Sequence, residues 1–293
     1  MDLKAYLRDK RTLVDQGLKS VFPEPEGFAA DVIRAMTYSL FAGGKRLRPI
    51  LCIAGAEAVG AEAATVLPFA CSLELIHTYS LIHDDLPVMD NDDLRRGKPT
   101  NHKVFGEAVA LLAGDGLLTE AFRLMAATSG VDPHALLRVI RLAGSAAGYQ
   151  GMVGGQVVDI QSEGKPVDKP LVDYIHAHKT GALIHASVTS GAILGQGSEE
   201  RVKAISSYGE KIGLAFQIAD DILDVEGDSK TMGKGVGGDA RKKKITFPAA
   251  VGLQKAKETQ RRLVEESLGA LKAFDEKADP LRSIAVYIIE RKK

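Results

Sequence analysis

The sequence contains no tryptophan, and aromatic residues make up only 5% of its 293 residues. Hydrophobic residues still account for 45% of the chain, so a core has to be built mainly from aliphatic side chains and alanine. Alanine and leucine favour helices, whereas strands are enriched in aromatic and β-branched residues. The composition therefore favours helix over sheet.

The chain also lacks an excess of charge of either sign, with 38 basic and 38 acidic residues. A zero net charge gives no electrostatic reason to expect nucleic acid or an anionic membrane as a partner. Two cysteines, Cys52 and Cys71, are too few for a disulfide scaffold. Both lie in apolar, helix-like segments, and we expect them to be buried free thiols.

Long apolar runs are missing as well. The N-terminus alternates charged and apolar residues and has no secretory h-region. No run reaches the ~18 apolar residues of a membrane span. We therefore expect a cytoplasmic protein with no integral membrane segment. The sequence has no GxSxG, no GxxxxGK[ST] and no GxGxxG after a strand, so it shows no sign of a serine hydrolase, a P-loop NTPase or a dinucleotide-binding fold.

Helical periodicity recurs along the whole chain, and no Pro/Ser-rich linker interrupts it. We predict one all-α domain over residues 1–293, a bundle of about ten or more helices around a central cavity. One long loop, residues 226–243, is rich in glycine. Loops of this kind are often lids or binding loops, and a disordered tether is the alternative.

Two short segments, Asp84–Asp90 and Asp220–Asp224, each contain three aspartates. Carboxylate oxygens select Mg²⁺ or Ca²⁺, and Mg²⁺ leaves much of its coordination shell to water and phosphate. Two such clusters facing one cavity would hold several Mg²⁺ ions around a diphosphate. For either cluster alone, an acidic helix end followed by a solvated turn is the alternative.

Helix geometry makes these expectations more specific. Asp220 and Asp224 are i and i+4, so they share one face of a helix. The same face continues back to Gly213, where we expect a ligand to approach the backbone. In the first cluster Pro87 disfavours unbroken helix. The preceding helix should end near it, which lets Asp90 return towards Asp84.

Short basic motifs accompany the acidic clusters along the chain. Gly43 and Gly44 are followed directly by Lys45, Arg46 and Arg48. Glycines let the backbone approach an anion, and the cations supply charge-assisted hydrogen bonds. Basic residues near a helix end also occur simply as complements of the helix dipole, so this motif alone does not decide between the two interpretations.

Further candidates lie beside the first cluster. Arg95 and Arg96 either pair with the nearby aspartates or grip different phosphates. His77 lies two helical turns before Asp84, on the same face. A satisfied core histidine is the alternative interpretation.

A second group of candidates lies on a predicted helix over 169–194. Lys179 is surrounded there by apolar residues and needs an anion or a carbonyl as partner. We expect Gly181 to weaken the helix and to free backbone carbonyls. These carbonyls, with the Thr180 hydroxyl and the Gln217 amide, would face developing positive charge.

Together these motifs resemble the trans-isoprenyl diphosphate synthases, most closely the bacterial farnesyl diphosphate synthases. The resemblance covers nearly the whole chain and rests on GGKRLRP, DDLPVMD, RRGKPT, HKTGALI, FQ and DDILD. It implies the isoprenoid synthase type I fold, a homodimer and three Mg²⁺ ions. The substrates would be isoprenyl diphosphates.

The resemblance also implies a role for each matching residue. The metal ligands would be Asp84, Asp85, Asp90, Asp220, Asp221 and Asp224. Isopentenyl diphosphate would be held by Gly44, Lys45, Arg48, His77 and Arg96, and the allylic diphosphate by Arg95, Lys179, Lys234 and Lys244. The allylic cation would be stabilised by Lys179, Thr180 and Gln217.

Product length is implied by one position in this resemblance. In that family, a bulky residue five positions before the first aspartate forms the floor of the pocket that holds the growing chain. Here that residue is Tyr79, and the small Ser80 follows it. This favours farnesyl (C15) diphosphate, with geranylgeranyl (C20) diphosphate as the alternative. A cyclase or hydrolase without condensation, and a non-catalytic partner subunit, are less favoured alternatives.

Overall fold

The computed structural model describes residues 1–226 and 244–290, which are almost entirely helical. The helices in chain order are α1 Leu3–Lys19, α2 Ala30–Leu40, α3 Leu47–Ala58, α4 Ala63–Asp84, α5 Asn101–Phe105, α6 Glu107–Ala126, α7 Pro133–Ala147, α8 Met152–Ser162, α9 Lys169–Ile175, α10 Ala182–Leu194, α11 Glu199–Glu226, α12 Phe247–Val251, α13 Leu253–Ala270 and α14 Asp279–Glu290. Strands β1 Leu94–Arg95 and β2 Lys98–Pro99 form a small antiparallel hairpin. The predicted all-α class is confirmed.

Helices α3, α4 and α10 lie at the centre of the molecule and are apolar around most of their circumference. By length and composition α4 alone among the described helices could cross a membrane, but 67% of its 18-residue apolar stretch is buried inside the protein. Helices α3 and α10 pack closely where Gly191 meets Cys52. A Cβ on Gly191 would lie only 1.8 Å from the Cys52 carbonyl oxygen. The core is therefore built from aliphatic helices packed at short range. Both cysteines are free and buried, as expected.

Two departures from regular α-helix position the site. Helix α4 ends at Asp84, and the Asp90 amide donates to the Asp84 carbonyl over 2.8 Å. The predicted helix end near Pro87 and the return of Asp90 are thus confirmed. The predicted helix over 169–194 is divided by a π-helical turn, His176–Gly181, which lies between α9 and α10. Gly181 is the last residue of this turn and keeps helical backbone angles, so the expectation that it frees backbone carbonyls stays a prediction.

Candidate active site

A cavity of about 470 Å³ lies between α4, α6 and α8. Apolar side chains such as Leu111, Val157 and Ile160 form much of its wall. The Asp84 carboxylate lines it as well, together with Lys179 and Thr180 of the π-turn. The same two π-turn residues line a smaller polar pocket of about 100 Å³. An apolar chamber and a polar chamber therefore share one boundary.

The first acidic cluster supplies two carboxylates to this boundary region. Gln156 donates to Asp84 over 2.9 Å, and Lys244 lies 3.4 Å from both oxygens of Asp90. Burial raises the pKa of Asp84, and the positive charge of Lys179 works against that rise. Asp84 is thus a carboxylate whose ionised form requires a nearby cation.

Asp159 is a site residue that the sequence interpretation missed. Its carboxylate is buried on α8, accepts from Lys179 over 2.6 Å and lies 3.9 Å from Lys244. It therefore links the π-turn to the segment that carries Lys244. The signal in the sequence was Gln156 and Asp159, two polar residues one turn apart on a helix that is otherwise rich in glycine and apolar residues.

The second acidic cluster reaches the polar pocket from α11. Asp221 lines this pocket and is 2% exposed. It accepts hydrogen bonds from the Phe247 amide over 2.7 Å and from Gln217 Nε2 over 3.0 Å. The Thr180 hydroxyl donates to Gln217 Oε1 over 2.8 Å. The predicted set Thr180 and Gln217 is therefore in direct contact, and Asp221 is bonded to it.

The space beside Gly213 is filled by the protein itself. A Cβ there would lie 2.8 Å from the Gly181 Cα atom. The expectation that a ligand approaches the backbone at Gly213 is wrong. This glycine is needed because α11 and the π-turn pack at backbone distance.

The basic residues converge near the part of the large cavity that is lined by Arg48 and His77. Arg48 and His77 line the large cavity, and Arg96 donates to the Gly43 carbonyl. A Cβ on Gly44 would lie 2.7 Å from the Arg96 guanidinium. The structure therefore brings together Gly44, Arg48, His77 and Arg96, which were predicted to share one anion.

The electrostatics of this basic group follow from its crowding. Burial lowers the pKa of Arg48, with Glu74 and Asp220 opposing this and Arg96 adding to it. The Arg48 Nε group is buried and has no hydrogen-bond partner in the described part of the chain. Burial and then Arg48 hold the pKa of His77 well below 6.5. A neutral histidine beside a buried donor suits an anionic ligand.

Other predicted residues are held by the protein in this structure. Asp85 is buried and accepts from Arg95 over 2.6–2.9 Å through both oxygens. Arg95 lies 4.0 Å from Asp92, whereas Asp93 pairs with Lys103. The assignments of Asp85 to metal and of Arg95 to the allylic diphosphate stay predictions. So do those of Lys45, which is exposed, and of Asp224. Lys234 lies outside the described residues.

Tyr79 and Ser80 both lie on the wall of the large cavity, as their predicted role in chain length requires. Tyr79 is 6% exposed and packs edge-to-face against His83, with 5.7 Å between ring centroids. The Ser80 hydroxyl donates to the His77 carbonyl over 2.9 Å. Tyr79 lies about one and a half helical turns before Asp84 on α4, and its role in chain length stays a prediction.

Within residues 1–226 and 244–290, no three acidic, histidine or cysteine side chains converge closely enough to form a metal cage of protein atoms alone. Mg²⁺ does not require such a cage, because it binds through one or two carboxylates plus phosphate and water. The hard oxygen donors Asp84 and Asp90, with the buried charge of Asp84, fit that chemistry. In this structure Lys244 pairs with Asp90, and Lys179, which pairs with Asp159, also acts on Asp84 through its charge.

The comparisons with known proteins agree with this arrangement. The family model described as polyprenyl synthetase matches residues 30–285. The chain is 49% identical over 297 residues to the heterodimeric geranylgeranyl pyrophosphate synthase large subunit 1 of Arabidopsis thaliana, covering 99% of this chain and 80% of that protein. It is 48% identical over 260 residues to a farnesyl diphosphate synthase of Geobacillus stearothermophilus, covering 88% and 87%.

Solved structures show the same architecture. A crystal structure of an FPP/GFPP synthase from Zymomonas mobilis has a TM-score of 0.87 and 38% sequence identity, covering 98% of this chain and 99% of that one. A geranylgeranyl pyrophosphate synthetase from Pyrococcus horikoshii has a TM-score of 0.91 and 32% identity, covering 99% and 98%. The names of these proteins divide between C15, C20 and longer products.

Proposed function

The chain belongs to the polyprenyl synthetase family and is a prenyltransferase, and from this premise we propose that it makes farnesyl (C15) diphosphate. It would condense isopentenyl diphosphate head to tail with dimethylallyl or geranyl diphosphate. The observation that supports the C15 product is Tyr79, a buried ring on the wall of the apolar cavity. The whole chain would act as a single cytoplasmic domain.

The allylic diphosphate would lie where the two chambers meet. The residues proposed to hold three Mg²⁺ ions are Asp84, Asp85 and Asp90 on one side and Asp220 and Asp224 on the other, whereas the Asp221 carboxylate, which the family resemblance also implies as a ligand, is bonded to the protein. When bound, the metal would supply Lewis-acid neutralisation of the leaving diphosphate. Lys179 and Lys244, already beside the buried carboxylates, would add positive charge to the same group, with Arg95 and Lys234 assisting.

The remaining residues would guide the carbon chemistry. Ionisation of the allylic C–O bond leaves positive charge at C1, which faces the oxygens of Thr180 and Gln217. Isopentenyl diphosphate would be held by Gly44, Lys45, Arg48, His77 and Arg96, so that its C4 attacks C1 of the allylic cation. A proton then leaves C2 for the released diphosphate. The apolar cavity wall excludes water, which would otherwise quench the cation.

A C20 product is the second candidate, and several relatives are named geranylgeranyl synthases. The basic group around Arg48 argues against a cyclase or hydrolase, because those reactions need no isopentenyl site. Both acidic clusters are intact in the sequence, which argues against a non-catalytic subunit.

One assay separates these candidates. Purified protein is incubated with Mg²⁺, labelled isopentenyl diphosphate and geranyl diphosphate, and the phosphatase-treated alcohols are resolved by chain length. We expect labelled farnesol as the product. We expect no labelled alcohol when EDTA has chelated the Mg²⁺. Labelled geranylgeraniol as the main product would favour the C20 synthase, and no labelled alcohol at all would reject synthase activity.

A further inference from the structure

The buried carboxylate of Asp221 is bonded to protein donors at both oxygens. Oδ1 accepts from Gln217 Nε2 over 3.0 Å, and Oδ2 accepts from the Phe247 amide over 2.7 Å. Oδ2 also lies 3.1 Å from Nε2 of His176, which belongs to the π-turn. The side chain of Asp221 is 3% exposed. The carboxylate therefore joins three elements, α11, the π-turn and the start of α12.

These bonds fix the orientation of a neighbouring amide. An ionised carboxylate accepts hydrogen bonds but does not donate them. Gln217 must therefore turn its NH₂ group to Asp221, which leaves its Oε1 atom free to accept from Thr180 over 2.8 Å. The amide dipole of Gln217 is thus set by Asp221, and its oxygen end is directed at the π-turn.

The neighbouring aspartates of the same cluster are placed differently. On α11, Asp221 lies about 100° round the helix axis from Asp220 and about 60° from Asp224. The charge of Asp220 acts on Arg48, on the side of the large cavity. Asp221 instead bonds to the first residue of α12, three residues after Lys244.

We infer that Asp221 is a positioning residue, which locks the Gln217 amide and holds the start of α12, and that it does not bind Mg²⁺ directly. This inference rests on the proposed function for the role of Gln217, and it departs from the metal role that the family resemblance implies for Asp221. An asparagine at this position has one oxygen and one NH₂ group, so it could not accept from both Gln217 Nε2 and the Phe247 amide as the two carboxylate oxygens do.

The matched variants are Asp221→Asn and Asp220→Asn, which make the same isosteric change at adjacent positions. For Asp221→Asn we expect the Tm of the metal-free protein to fall by about 2–6 °C. The Kd for inorganic diphosphate is measured by calorimetry in saturating Mg²⁺. We expect it to rise by no more than about threefold in Asp221→Asn and by about tenfold or more in Asp220→Asn. The opposite ranking of the two Kd values would overturn the inference.

A second measurement asks whether Asp221 acts through Gln217. Gln217→Met should lower kcat, and the double variant Asp221→Asn with Gln217→Met should lower it no further, because the two residues form one unit. Independent, multiplicative losses would overturn the positioning role.

The third arm uses the wild-type protein and does not depend on the folding of any variant. In crystals grown with Mg²⁺ and inorganic diphosphate, we expect Asp221 to keep its bonds to Phe247 and Gln217. An Asp221 oxygen at the Mg²⁺ ligand distance of about 2.1 Å would overturn the inference. If the wild type proved inactive, the proposed function would fail, whereas the Tm and crystal arms would still decide the position of Asp221.

Discussion

Lys45 and Arg46 are adjacent cations of one motif, and burial gives them different roles. Lys45 is exposed, whereas Arg46 is 3% exposed and adopts a left-handed backbone with φ of 52°. The Arg46 guanidinium donates to Asp15, to Glu74 and to the Leu40 carbonyl over 2.7–2.8 Å. It thereby fixes the loop that carries Lys45 and the start of α3, which carries Arg48.

Removing Arg46 should destabilise the protein strongly. Arg46→Met leaves the buried Glu74 carboxylate without its cation, and we expect a loss of about 3–5 kcal/mol in the free energy of unfolding, measured with urea. The control Lys45→Met should change it by less than about 0.5 kcal/mol while raising KM for isopentenyl diphosphate. Equal losses in the two variants would contradict this account of Arg46.

His77 should make stability depend on pH. Its folded-state pKa lies well below 6.5, so below about pH 6.5 the unfolded chain binds more protons than the folded one. The contribution of His77 is therefore fully favourable above pH 6.5 and is lost as the pH falls towards the lower folded-state pKa.

The His77→Gln variant tests this linkage. Between pH 7.5 and 5.5 its free energy of unfolding should fall less steeply than that of the wild type, as measured by urea denaturation at several pH values. The control is His134→Gln, which removes an exposed histidine and should keep the wild-type slope. If His77→Gln and the wild type had the same slope, the buried neutral state of His77 would be wrong.

Tyr79 should set the length of the product. Tyr79→Ala opens the cavity wall along α4, and we expect products longer than C15 in the same assay. Tyr79→Phe keeps the ring and should keep the wild-type distribution. An unchanged longest product in Tyr79→Ala would show that another side chain forms the floor.

At the scale of elements, the contact between α11 and the π-turn decides where Lys179 and Thr180 lie. A Cβ on Gly213 would lie 3.0 Å from the Gly181 carbonyl oxygen and closer still to its Cα. Both contacts are with backbone, which cannot rotate away as a side chain can. The position of the π-turn is therefore set by the absence of a side chain at Gly213.

Gly213→Ala should force these two elements apart. We expect it to cost about 1–3 kcal/mol of stability and to lower kcat, because Thr180 would shift relative to Gln217. Gly269→Ala in α13 is the control, since a Cβ there meets no atom within 4 Å, and it should be stabilising by about 0.4–1 kcal/mol. Thermal unfolding and the condensation assay measure both effects. A fully active, equally stable Gly213→Ala protein would contradict the close packing.

At the scale of the whole molecule, the apolar cavity and the polar pocket lie between helices that are far apart in sequence. Helix α4 carries Asp84, α8 carries Asp159, and α11 carries Gln217 and Asp221. The site therefore forms only when the whole bundle has folded. Exposed apolar side chains remain on the surface, among them Leu112 of α6 at 58% exposure.

The family resemblance predicts that two copies of the chain associate. Sedimentation equilibrium should give a mass about twice the 31.3 kDa of one chain, since closed homodimers are the commonest soluble assemblies. A mass of a single chain at micromolar concentration would reject the homodimer, and the condensation assay at the same concentration would show whether one copy suffices.

The sequence by itself determined the helical class, the end of α4 before Pro87 and the chemistry of the acidic and basic groups. These depend on local properties, namely side-chain periodicity, backbone restriction and charge. Only the tertiary structure decided that Asp159 lies beside Lys179, that Asp221 is bonded to Phe247, and that Gly181 fills the space at Gly213. Those contacts join residues 20 to 32 positions apart, and their geometry depends on how helices cross, which no local pattern of residues specifies.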